Sequence, residues 1–199
     1  EMFLPILAQA FCEVGCACLI FDYRGWGESE GVRGRLFPLE QVEDIRNALT
    51  FLAAQGGVDP ERLGLYGTSF GGANVVYVAA LDARVKCVVA SLSVGNGARW
   101  LRSLRPLWQW REFLGLIETD RQRRVLSGAS RKVKAFEVVP PDPPMRELMA
   151  AAAQGGLFSN EEAEITLESA DAIMHFAPED VVHRIAPRPV LFIHSGDDT

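Results

Sequence analysis

The stretch Leu63-Gly64-Leu65-Tyr66-Gly67-Thr68-Ser69-Phe70-Gly71-Gly72 decides the fold. Its first four residues make a short strand, and a helix of small residues runs on to about Leu81. Between them, Gly67-x-Ser69-x-Gly71 is a tight strand-to-helix turn. Such a turn crowds the residues two before and two after the serine, so glycine is expected to be needed at both places. The serine is then forced into a strained conformation with its hydroxyl exposed. The start of the following helix adds positive potential and unpaired N–H groups. The backbone N–H of Phe70 can therefore donate to an oxyanion. A phosphate-binding turn is the bland alternative, and it is disfavoured because no lysine follows as a P-loop requires.

Outward from this turn the chain alternates. Residues 2–13 carry a helical apolar face (Phe3, Leu4, Leu7, Ala8, Ala10, Phe11), and Gly15 suits its C-terminal cap. Residues 16–21, continuously apolar, predict a strand buried on both faces. The glycine-rich turn Asp22-Tyr23-Arg24-Gly25-Trp26-Gly27-Glu28-Ser29 follows. Glu28 and Glu30 would repel a phosphate there, so it is taken as a backbone device, with Tyr23 and Trp26 in packing roles. A helix is expected from Pro38 to Gln55, a strand over Val85–Ser91, and a last strand over Pro189–His194. Strands alternating with helices imply right-handed crossovers and a parallel sheet.

The pattern breaks over residues 98–158, which hold Trp100, Trp108, Trp110, an arginine cluster and the Pro140–Pro144 stretch. This segment is expected to be a mostly helical, cap-like insertion between a core at 1–97 and its continuation at 159–199. Ser159-x-x-Glu162 has the form of a capping box opening a helix to about Met174, and a short helix is expected over Pro178–Ile185.

Composition narrows the function. At 48% hydrophobic and 23% charged residues, the chain of 199 has ample material for a core. No apolar run approaches the roughly 18–20 residues of a membrane-spanning helix, and the opening residues lack the basic region of a secretion signal. A cytoplasmic location is the default expectation. The net charge of −6 argues against nucleic acid as the main partner. Residues 99–134 nevertheless carry ten of the 20 basic residues against three acids, and could attract an anionic substrate group or simply form solvated helix faces. Cys12, Cys16, Cys18 and Cys87 fit no zinc or redox spacing and are expected to be buried free thiols.

With these motifs in place, the sequence resembles an α/β-hydrolase. Three segments carry the likeness: Asp22–Ser29 after one strand, Gly67–Gly71 after the next, and Ile193-His194-Ser195-Gly196-Asp197-Asp198 after the last. The tone is that of bacterial esterases, dienelactone-hydrolase-like and prolyl-oligopeptidase-like enzymes. The resemblance implies a small-molecule ester or acyl substrate, no metal or organic cofactor, and a triad in the order Ser, Asp, His. Ser69 would be the nucleophile, Phe70 an oxyanion donor, and Asp198 the acid, with Asp197 as the alternative.

The family's histidine follows the acid, and nothing here follows Thr199. His175, His183 and His194 lie upstream, and none is carried over as the base. The family also places a strand and an oxyanion loop before the opening helix. The chain is accordingly expected to be an internal fragment, inactive as an esterase by itself. Two other readings remain open, a prolyl-oligopeptidase-like peptidase and a non-catalytic binding domain that kept the fold.

Overall fold

The computed structural model describes residues 4–154 and 163–196. In chain order the elements are α1 (Leu4–Glu13), α2 (Pro38–Ala53), β1 (Leu63–Thr68), α3 (Phe70–Leu81), β2 (Val85–Ser91), α4 (Gly97–Ser103), α5 (Leu107–Ser127), β3 (Lys132–Lys134), α6 (Ala135–Val138), α7 (Pro143–Gln154), β4 (Glu164–Thr166), α8 (Leu167–Met174) and β5 (Val190–Ile193). Single 3-10 turns cover Pro60–Arg62, Pro178–Asp180 and Val182–Ile185. Among the described residues no helix is long and apolar enough to cross a membrane. The chain divides into two compact units, one of residues 37–103 and 172–199, the other of residues 1–36 and 104–171.

The unit of residues 37–103 and 172–199 holds a parallel sheet of order β1-β2-β5. Helix α2 begins with Pro38 in its first turn, where the missing N–H costs nothing, and buries Val42, Ile45 and Leu49 along one stripe. Helix α3 is buried on almost every side, with Ala73, Val75, Val76, Val78 and Ala79 shielded from water. Its small residues let it lie close to its surroundings, and inside the core Asn74 Nδ2 donates to Gln41 Oε1 at 2.8 Å. Arg188 ties the approach to β5 to the end of α3, donating to the carbonyls of Ala79, Asp82 and Val85 at 2.7–3.0 Å.

Asp82, just after α3, is 6% exposed and takes hydrogen bonds from Arg84 (2.7 and 2.9 Å) and Arg46 (3.5 Å). Its hydrogen bonds with Arg84 hold its carboxyl down at about 2. Because the folded value lies below the ordinary 3.8, the stabilisation is complete above pH 4 and fades as pH falls toward 2. The linkage amounts to about 2 kcal/mol. Urea titrations between pH 6 and 2 should therefore show wild type losing about that much more stability than Asp82→Asn. Parallel pH curves for the two proteins would contradict it.

In the other unit, α1 ends at a left-handed Gly15 (φ 88°), where the Cys16 N–H reaches back to Phe11 O at 3.0 Å, as expected. The expected strand at 16–21 does not form. The segment belongs to no ladder among the described residues, and all its residues except Leu19 are exposed. Its apolar run records a tendency to be buried but specifies no pairing partner. Likewise, the four cysteines are all exposed rather than buried.

The turn after it is a backbone device. Asp22 Oδ2 accepts the Glu28 N–H at 3.0 Å, Ser29 Oγ donates to Asp22 O at 2.6 Å, and Trp26 Nε1 donates to Arg35 O at 3.0 Å. The described residues between 98 and 154 are mostly helical, but β3 among them pairs antiparallel with β4, a ladder the sequence did not announce and one that joins the segment expected as an insertion to the segment expected as core. Ser159 and Glu162 lie outside the described residues. The helix after them starts later than expected, at Leu167, with Thr166 Oγ1 and Ser169 Oγ 2.9 Å apart in its first turn.

The arginines of residues 99–134 are largely engaged within the protein. Arg105 donates to the carbonyls of Glu137 and Val138 at 2.6 Å, with its guanidinium 4.1 Å above the Phe113 ring. Arg124 pairs with Asp120 at 3.2 Å and Asp171 at 3.1 Å, and Arg121 pairs with Asp171 as well. This engagement favours the structural account of the basic cluster over a general attraction for anions.

Candidate active site

The β1–α3 junction has the geometry that its glycine-flanked serine predicts. Ser69 lies between strand and helix with φ 52° and ψ −125°, a left-handed value rare for any residue but glycine, and it is exposed. Such a conformation costs about 1–3 kcal/mol and persists only where neighbours hold it. Here the Ser69 N–H donates to Ser91 O at 2.8 Å, and Ser69 O accepts the Gly72 N–H at 3.0 Å. The junction is thus fixed from the β2 side and from inside α3.

Gly67 is needed for the reason anticipated. A Cβ there would lie 2.6 Å from the Gly71 carbonyl carbon and 2.9 Å from the Gly72 nitrogen. Gly71 corrects the expectation, because a Cβ there would meet nothing within 4 Å. The crowding is one-sided, since the helix backbone fills the space at residue 67 while residue 71 faces open space.

The Phe70 N–H opens α3 and takes part in none of the hydrogen bonds of the described residues. Its position at a helix start gives it the positive potential an anion needs. The Phe70 ring lies 5.9 Å from both Trp100, nearly parallel to it, and Phe176. Trp110 instead packs on Phe113 at 5.9 Å, and Trp108 is exposed.

The sheet register aligns Thr68, Ser91 and Ile193 in one row across β1, β2 and β5. The segments after these strands therefore leave the same sheet edge, about 10 Å apart at the outer two strands. Ser69 begins one of these segments and His194 another. Asp197 and Asp198 lie outside the described residues. His183 falls in a 3-10 turn, and His175 lines a cavity of about 310 Å³ with Phe37, Tyr77, Phe176 and Asp180. Among the described residues no histidine is hydrogen-bonded to Ser69, and no cluster of three His, Cys, Asp or Glu side chains could hold a metal ion.

Sequence reasoning missed two features here. Leu92, one residue beyond β2, is also left-handed (φ 51°), with its N–H donating to Ile193 O at 2.7 Å. No sequence signal marks it, since leucine rarely adopts this conformation. The other is a hydrogen-bonded cluster of Asn96 and Arg99 on Glu179, which lies 83 and 80 residues from them in the chain.

Comparisons with known proteins follow the same line. The family model described as the alpha/beta hydrolase family matches residues 2–199. A 31.7 kDa protein from the traX-finO intergenic region of Escherichia coli is 49% identical over 97 residues, covering 49% of this chain and 34% of that protein. The thiohydrolase aneE of Aspergillus aculeatus is 42% identical over 91 residues, covering 45% of this chain and 29% of that one. The matches thus span about a third of these relatives' length. The crystal structure of the alpha/beta hydrolase GrgF from Penicillium sp. superposes with a TM-score of 0.77 at 24% identity, covering 96% of this chain and 65% of that chain, a likeness of fold.

Proposed function

The chain belongs to the alpha/beta hydrolase family, and on that premise we propose that it is a serine hydrolase of carboxylic esters or related acyl bonds, with Ser69 as the nucleophile. The observation that carries this reading is the exposed, left-handed Ser69 between β1 and α3 with the unengaged Phe70 N–H beside it. A hydroxyl held clear of the backbone can approach a carbonyl, and the neighbouring amide can receive the charge that develops on its oxygen.

In the proposed route Ser69 Oγ attacks the acyl carbon and passes its proton to a histidine base. The negative oxygen of the tetrahedral intermediate accepts the Phe70 N–H. The leaving group departs with the proton, and water then releases the acyl group from Ser69. Asp198 is the proposed acid that orients the base, with Asp197 as its alternative. The shared sheet edge of Thr68, Ser91 and Ile193 supports an acid arriving from beyond β5. His175, His183 and His194 are not assigned as the base. The likeness to aneE, a thiohydrolase, supports including thioesters among the acyl bonds.

Turnover of p-nitrophenyl acetate, an acyl thioester and an X-Pro p-nitroanilide by the full-length protein tests this reading. The expected result is a burst followed by steady turnover for the ester or thioester, with the anilide cleaved far more slowly. Preferential cleavage of the X-Pro amide would assign the chain to a peptidase instead.

A further inference from the structure

We propose that Asn96, Arg99 and Glu179 form a clasp that positions the Phe70 amide for oxyanion stabilisation. The inference rests on Ser69 as the nucleophile and assigns a task to residues that do not touch the substrate.

Two segments meet at this clasp, the loop from β2 into α4 and the stretch from the end of α8 through the 3-10 turn at Pro178–Asp180. Their backbones are joined directly: Gly97 N–H donates to Phe176 O at 2.9 Å, and Glu179 N–H donates to Gly95 O at 3.1 Å. The approach is so close that a Cβ on Gly97 would lie 2.8 Å from the Ile173 carbonyl carbon. Side chains then lock the junction. Asn96 Nδ2 donates to Glu179 Oε1 at 2.9 Å, and Arg99 Nη1 donates to the same oxygen at 3.2 Å while Nη2 pairs with Oε2. Asn96 Oδ1 also accepts the Arg99 N–H at 3.0 Å, which caps the start of α4.

Each joined segment supplies one ring to Phe70. Trp100 follows Arg99 on α4, and Phe176 lies three residues before Glu179; both ring centroids stand 5.9 Å from that of Phe70. Phe176 also packs on Tyr77 of α3 at 4.8 Å, so the contact continues along the helix that Phe70 opens. The spacing of the two segments therefore sets the place of the Phe70 side chain, and through it the direction of the N–H on the same residue.

Stability alone gives little reason for the clasp. The Arg99 and Glu179 side chains are 67% and 36% exposed, and pairs in such settings add little to folding. Geometry gives a better reason, because an oxyanion donor acts only when it is aimed at the place the charged oxygen will occupy. A displacement of a fraction of an ångström at such a donor costs rate rather than binding.

The test compares Arg99→Ala, Glu179→Ala and the reversed pair R99E/E179R with wild type in the full-length protein. Single-turnover acylation with an aryl ester, KM, Tm and the ¹⁵N shift of the Phe70 amide are measured. Each single variant should acylate about tenfold more slowly, with KM changed less than twofold, Tm nearly constant and the Phe70 amide shift moved. The reversed pair should recover part of the rate. Unchanged acylation and an unmoved amide shift in the single variants would overturn the clasp, as would a rate loss that tracks a fall in Tm. Ser69→Ala separates the two ideas. An inactive Ser69→Ala beside an unimpaired Arg99→Ala removes the clasp alone, whereas turnover surviving in Ser69→Ala removes the nucleophile and the clasp's catalytic role together.

Discussion

Replacing Ser69 by alanine in the full-length protein should lower kcat for an activated ester by about 10⁴-fold or more, because nucleophile and base act as one unit and either loss removes the acyl-enzyme route. The fold should survive the change. The Ser69 backbone is held by the Ser91 carbonyl and the Gly72 N–H, and the hydroxyl takes part in none of the hydrogen bonds of the described residues. Ser69→Gly sharpens the test. Glycine accepts φ 52° without penalty, so this variant should be more stable than wild type by about 1 kcal/mol while equally inactive. A gain in stability with a loss of activity at one position would show that the fold maintains strain there for the sake of the hydroxyl. Calorimetry and ester turnover of the same preparations would decide it. A Ser69→Ala protein with more than a tenth of wild-type kcat would refute the assignment.

The second large effect concerns the glycines on either side. Gly67→Val should destabilise the protein by about 3 kcal/mol or more, since its Cβ alone would intrude on the Gly71 carbonyl and the Gly72 nitrogen, which are backbone and cannot swing aside. Gly71→Ala should change stability by no more than about 1 kcal/mol, because its Cβ enters open space at a helix start. Sequence symmetry predicts equal sensitivity, whereas the structure predicts a strong asymmetry. Urea melts of the two variants distinguish them, and equal destabilisation would mean that the crowding at residue 67 is misplaced.

The parts of the fold legible in the sequence were those whose cause is local. Pro38 starts α2, Gly15 ends α1, and the small residues after Ser69 run as α3, because proline, glycine and side-chain size act within a turn. The serine's exposure followed from the same local crowding. What failed was non-local. Residues 16–21 have the composition of a buried strand, but composition cannot name a ladder partner, and the segment is unpaired among the described residues. Strand β4 and its pairing to β3 were missed because three-residue strands such as Lys132–Lys134 carry no readable period. The strained turn at Ser69 and the helix start at Phe70 were legible because they lie in one continuous stretch of sequence. The packing of Phe176 on Phe70 and the contacts of Glu179 were not legible, because they exist only after the chain has folded back some hundred residues later.

An oxygen on residue 69 that is poised for acyl attack is open to covalent trapping. Full-length protein treated with a fluorophosphonate, digested and mapped by mass spectrometry should carry one phosphonyl group, on Ser69. Prior treatment with an ester substrate should slow its attachment. An adduct on another serine, or an untouched Ser69 in a preparation that still turns over esters, would rule Ser69 out as the nucleophile.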